Sequence, residues 1–150
     1  MIKVLFVDHT PFAGGAQLVL AEHIAQIDKT RYEVHVACTN TVPLLLERYQ
    51  QAGATVHLLA LPLLRRPSLS MVGGAIRAIM QLRFLMRRLK IDLVISNTTR
   101  ASYFCSAAVL WTCTPLIWWV RDFLYPKIIK TPFSVKSDFK NVRIFSALNQ

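Results

Sequence analysis

The sequence predicts a three-layer α/β/α fold built on a Rossmann-like, doubly wound parallel sheet, and three observations carry that prediction. Strand-like and helix-like segments alternate along the chain. The first strand, Ile2 to Val7, is apolar without polar alternation, as in a strand covered on both faces. Between the third and fourth strands lie the 30 residues Pro62 to Ile91, the longest connection and long enough to carry the chain back to the far side of strand one.

The elements follow in order. After strand one, a loop from Asp8 to Gly14 leads into a helix from Gly15 to Ile27, where Leu18, Ala21, Ile24 or Ala25, and Asp28 recur at helical spacing. Tyr32 to Cys38 is strand two. A second helix occupies Val42 to Gln51, stops at Gly53 as a C-cap, and delivers the chain to strand three at Thr55 to Leu61. The long crossover holds Pro62 and Pro67 and then a helix from Leu69 to Leu89. Asp92 to Ser96 is strand four, followed by a helix from Thr99 to Trp111, strand five at Leu116 to Val120, a basic irregular stretch from Arg121 to Asn141, and a last strand at Val142 to Ala147. The 20 residues Ala101 to Val120 carry no charge, the length of a spanning helix, but Thr112, Thr114 and Pro115 interrupt them and the halves read as helix and strand.

Composition limits the function classes. At 150 residues the chain fits one domain with a substantial core, and 53% apolar against 17% charged residues excludes disorder and predicts apolar surface that meets a partner. Eighteen Lys and Arg against eight Asp and Glu give +10, which favours phosphate-bearing ligands or anionic surfaces. Nucleic acid is disfavoured, since no aromatic ladder, helix-turn-helix or zinc finger is readable. Cys38, Cys105 and Cys113 form no CxxC pair and leave an odd thiol, which predicts a reducing cytoplasmic compartment and no zinc site. No metal or cofactor is called for: His23, His35 and His57 fall within a helix and strands as packed or surface residues.

A doubly wound sheet binds ligands where the strand order reverses, here the crevice between strands one and four. Its walls are Asp8 to Gly15 and Asn97 to Arg100, with Arg121 and Asp122 entering after strand five. Gly14-Gly15 opens a helix, so backbone N–H groups can approach a diphosphate there, although a plain strand-to-helix turn uses glycine as well. The pair is neither a GxGxxG nor a Walker loop, and strand two ends Cys38-Thr39-Asn40 without a ribose-binding acid, which excludes dinucleotide binding and NTP hydrolysis. Asp8-His9 offers a base, or a cap for the glycine loop. Asn97 and Thr98 suit sugar hydroxyls or phosphate, and Thr98 or Thr99 equally suits a helix N-cap.

From Tyr49 to Ile91 there is no acid and there are seven positive charges. Met71, Ala75, Ala78, Leu82, Leu85 or Met86, and Leu89 form the core stripe of the long helix, while Val72, Ile76, Met80 and Phe84 lie on another face among Arg77, Arg83, Arg87 and Arg88. A face both apolar and cationic suits a membrane interface, at the inner face of the plasma membrane, or a docked domain.

Lys3-Val4-Leu5-Phe6-Val7, Gly14-Gly15-Ala16-Gln17, Tyr32-Glu33-Val34-His35-Val36 and Asp92-Leu93-Val94-Ile95-Ser96-Asn97, in that order, resemble the N-terminal, acceptor-side domain of glycosyltransferase family 4, retaining enzymes of GT-B fold. The resemblance spans residues 2–123 and departs from the usual Gly-Gly-Ala-Glu at Gln17. It implies that Gly14 and Gly15 approach the diphosphate of a nucleotide-sugar donor across an interdomain cleft. The family commonly carries a histidine after the strand matching Leu116 to Val120; here Arg121-Asp122 stand in that place as the catalytic candidates, Arg121 as a phosphate or acceptor ligand. The donor-binding C-terminal domain is not within these 150 residues and is expected from a further domain or separate subunit, so the chain alone is expected to be inactive. The rival expectation is a non-enzymatic membrane-surface or protein-interaction module that keeps the fold.

Overall fold

Side-chain alternation along the strands decides which helices cover which face. The computed structural model describes residues 1–39, 42–62, 69–110, 112–120 and 142–146. In order these form β1 (Ile2–Asp8), α1 (Gly15–Gln26), β2 (Tyr32–Cys38), α2 (Pro43–Gln51), β3 (Thr55–Leu58), α3 (Leu69–Leu89), β4 (Leu93–Ser96), α4 (Thr99–Val109), β5 (Leu116–Val120) and β6 (Val142–Ser146). The strands make one parallel sheet in the order β3-β2-β1-β4-β5-β6. The doubly wound fold expected from the sequence is present, with its order reversing between β1 and β4.

Val4 and Phe6 of β1 point to one face, where they join Val34, Val36 and Cys38 of β2 and Leu20, Ile24, Leu45 and Tyr49 of α1 and α2. Leu5 and Val7 point to the other, with Val94, Ala78, Leu82 and Met86 of α3, and Phe104 and Ala108 of α4. β1, β2, β4 and β5 therefore feed both cores, which is why β1 reads as an uninterrupted apolar run. The α3 stripe falls as its spacing predicts: Ala78, Leu82 and Met86 are buried, and Ala75, Leu85 and Leu89 pack at the margin.

Boundaries move for local reasons. β3 ends at Leu58 rather than Leu61 because β2 ends at Cys38, whose carbonyl takes the Leu59 N–H at 2.8 Å as the last rung. β4 begins at Leu93 because the Asp92 carboxylate instead accepts the Lys3 backbone N–H at 2.8 Å. α1 stops at Gln26, where Ile27 turns extended and Asp28 closes an Asx turn by accepting Thr30 N–H at 2.9 Å. The charge-free segment Ala101 to Val120 divides into α4 and β5, and no helix among the described residues is long and apolar enough to cross a membrane.

On the α3 side of the sheet sits a polar chain. Lys3 pairs with Glu33 at 3.1 Å, Glu33 with His35 at 3.1 Å, and His35 Nδ1 lies 3.2 Å from His57 Nε2. Burial, then His35 and Arg88, hold the His57 pKa below its ordinary 6.5. A depressed histidine is neutral in the fold and takes its proton more readily when unfolded, so this stabilisation is complete above about pH 6.5 and is lost as pH falls through the folded value. Glu33 titrates in a lower window, held below the usual carboxylate value chiefly by its hydrogen bond with Lys3. Urea unfolding across about pH 7.5 to 5 should show stability declining below about 6.5, and His57→Gln should flatten that decline. An unchanged slope in the variant would remove His57 as its source.

Candidate functional site at the β1–β4 crevice

Parallel pairing of Val7 with Ser96 brings the loops after β1 and β4 side by side. The junction is tied by one buried carboxylate. Asp8 Oδ2 accepts Gln17 Nε2–H at 2.9 Å and Asn97 Nδ2–H at 3.0 Å, while Oδ1 accepts the Thr10 backbone N–H at 2.9 Å. Asp8, Gln17 and Asn97 are 1%, 3% and 1% exposed. A carboxylate so enclosed persists because all three donors converge on it, each charge-assisted. Asp8 thus joins the glycine loop, α1 and the β4 end, and reaches a ligand only through the groups it places.

A second tie crosses the same boundary. His9 Nδ1 lies 2.6 Å from Thr98 Oγ1, and Thr98 also caps α4 by accepting the Ala101 N–H at 3.4 Å. In the tautomer that uses both functions of the hydroxyl, Thr98 donates its proton to His9 Nδ1 and the imidazole carries its own on Nε2, which makes the ring a donor.

The two helix starts flanking the crevice differ. α4 is capped by Thr98, whereas α1 begins at Gly14 with no side-chain cap and no acid in its first turn. A Cβ at Gly14 would meet Gln17 Oε1 at 2.9 Å, so this glycine makes room for the side chain that reaches Asp8. Beyond its chain neighbours and the backbone of its own helix, a Cβ at Gly15 would meet nothing within 4 Å. Gly15 faces open space at the positive end of α1, the geometry in which an anion can approach backbone.

Of the residues singled out in the sequence, Asp8, Gly14, Gly15, Asn97 and Thr98 are brought together here, and Arg121 and Asp122 lie outside the described residues. Gln17 was visible only as a departure from a motif. Its signal was a polar residue heading the buried α1 stripe of Gln17, Leu20, Ala21 and Ile24. Burial pushes the Cys105 thiol up, and burial with the nearby Asp8 charge pushes Cys38 up to about 12, so both stay protonated and unreactive at neutral pH.

On the helix face expected to meet a membrane, Arg77, Met80, Phe84, Arg87 and Arg88 are exposed, but Arg83 is not part of it. Its Nε–H donates to Ala108 O at 2.9 Å and its Nη2–H to Leu110 O, so the guanidinium turns aside to close the end of α4. Carbonyls at a helix C-terminus attract a cation, which is why this arginine leaves the outward face.

A doubly wound sheet whose switch point presents an uncapped glycine helix start has the geometry in which an anion can approach backbone. The sequence pattern of glycosyltransferase family 4 matches residues 13–145, and the chain belongs to that family. No curated protein matches it in sequence. Among solved structures it is similar to HepE of Anabaena in complex with UDP-glucose, at 22% identity and TM-score 0.64, over 85% of this chain and 31% of that one. It is also similar to MurG of Acinetobacter baumannii, at 14% identity and TM-score 0.69, over 100% of this chain and 42% of that one. These likenesses show the GT-B domain fold, and the chain spans about a third of the HepE chain, 31%, and 42% of the MurG chain.

Proposed function

We propose that the chain is the acceptor-side half of a retaining glycosyltransferase, which moves a sugar from a nucleotide-diphosphate sugar to a glycan or lipid-linked acceptor. The observation that carries this reading is Gly15, open to approach at an uncapped helix start and braced from behind by Gln17, Asp8 and Asn97. That start stabilises the departing diphosphate, the charge that grows in the transition state. The braced loops hold an acceptor against the donor without reorganising, which supplies the positional part of the rate. The donor itself is held by a second domain, joined or separate, and the chain alone is inactive. HepE, a similar fold, is known with UDP-glucose, which makes UDP-sugars the first donors to try. The test is UDP release from a panel of UDP-sugars, by the chain alone and joined to a family donor-binding domain. Release only by the joined form is the expected result, and no release from it, though folded, overturns the reading.

A second reading is favoured by α3, where Val72, Ile76, Met80 and Phe84 are 49%, 57%, 58% and 66% exposed beside Arg77, Arg87 and Arg88. Apolar groups at this density between arginines suit the acyl boundary and phosphates of an anionic bilayer. Flotation with anionic vesicles at low salt should carry the chain upward, and Met80→Ser with Phe84→Ser should leave it at the bottom. Equal flotation of the double variant would confine the effect to charge.

A further inference from the structure

At the opposite end of the sheet from the crevice, a cleft of about 320 Å³ opens where α3 ends and β4 and β5 begin. Arg83, Arg87 and Lys90 line it with Thr112 and Thr114, over a floor of Met86 and Ile91. No carboxylate lines it among the described residues, in a stretch of sequence without an acid from Tyr49 to Ile91. The next residue, Asp92, spends its carboxylate on the Lys3 backbone.

Three cations gathered on one small cleft repel one another unless something answers them, and two helix C-termini nearby could do so with their carbonyls. Five of those carbonyls are already engaged, those of Met86, Arg87, Ala108, Val109 and Leu110. Lys90 adopts a left-handed φ of 55° and closes α3, its N–H on Arg87 O at 3.2 Å and that of Ile91 on Met86 O at 3.0 Å. At the end of α4, Arg83 takes Ala108 O and Leu110 O, and Thr112 takes Val109 O through both its N–H at 2.9 Å and its hydroxyl at 2.8 Å. These acceptors are taken within the fold, and the cleft keeps three cations and no carboxylate among its described lining residues.

We propose that this cleft is a second anion site, which takes a phosphate monoester, either free or as the head of an anionic phospholipid. Arg87 supplies a planar fork for two phosphate oxygens, Lys90 a point charge, and Thr114 a hydroxyl at the rim. The volume sits at the lower end of ligand clefts, about 300 Å³, and fits a phosphate with a small organic group better than a nucleotide. The site is remote from the Gly15 crevice and is independent of sugar transfer.

The experiment is a titration of the full chain with inorganic phosphate at constant ionic strength, followed through backbone amide resonances. Saturable shifts are expected at Lys90, Ile91, Thr112 and Thr114. Arg87→Gln with Lys90→Asn, the asparagine chosen because it tolerates left-handed φ, should weaken binding about tenfold or more. Arg77→Gln removes a charge from the same helix outside the cleft and should change it less than about twofold. Absence of saturable shifts, or equal weakening by Arg77→Gln, overturns the site. Vesicles of phosphatidylcholine with phosphatidic acid then separate the sources. Displacement from them by inorganic phosphate assigns a lipid head to the cleft, and phosphate titration without vesicle binding assigns a soluble ester.

Discussion

Asp8→Ala is expected to lower unfolding free energy by about 3 kcal/mol or more, the largest loss of any single polar substitution in the β1–β4 crevice. The carboxylate receives three donors, one from the backbone and two from amide side chains, and Asp8, Gln17 and Asn97 are all buried from water. Removing it strands Gln17 Nε2 and Asn97 Nδ2 in a space that alanine cannot fill, so desolvation adds to the lost bonds. Asp8→Asn separates charge from shape, since asparagine keeps the volume but turns an NH2 group toward donors, and it should cost a comparable amount. Urea unfolding with an unchanged m-value is the measurement. The second readout is the His9–Thr98 contact, which spans the same boundary without touching Asp8. Loss of the Thr98 hydroxyl-dependent protection at the Ala101 amide in hydrogen exchange would show the two loops parting as one unit. A loss under about 1 kcal/mol would mean that the donors find water, and the brace would then be incidental.

The sheet was legible because its signal is redundant. β1, β2 and β4 each carry apolar residues on both faces, and the long connection before β4 announces the reversal of order. The crevice walls followed from topology alone. Which wall residue bears which role did not, because role depends on distances between loops remote in sequence. Asp8 and Asn97 are 89 residues apart, and no periodicity links them. The same limit explains Arg83. On a helical projection it belongs with the arginines of the outward face, but α4 ends within its reach, and unpaired carbonyls outcompete solvent for a guanidinium. Gln17 was hidden differently. At a buried position on α1 a glutamine looks like a defect, and only the Asp8 carboxylate behind it shows why an amide belongs there. A glutamate would set two carboxylates within hydrogen-bond distance and force them to share a proton.

Gly15→Val is expected to reduce kcat of the joined, two-domain enzyme about 10²-fold while changing stability by less than about 1 kcal/mol. Beyond its chain neighbours and the backbone of its own helix, a Cβ at Gly15 meets nothing within 4 Å. Nothing in the fold resists the substitution, and a branched side chain at the first helical residue restricts the unfolded chain as well as the folded one. What it does fill is the approach to the start of α1, where a diphosphate must come close to backbone for the helix end to act on it, since that effect fades within a turn. Gly14→Ala is the contrast. Its Cβ would press on Gln17 Oε1 at 2.9 Å, so it should disturb the Asp8 brace and lose stability along with activity. A positioning role for the loop would predict that both variants track stability. A phosphate-binding role predicts that they diverge, with Gly15→Val folded and slow. Steady-state kinetics at saturating donor, read beside urea unfolding of each variant, decides between them: full turnover in Gly15→Val removes the diphosphate from the start of α1.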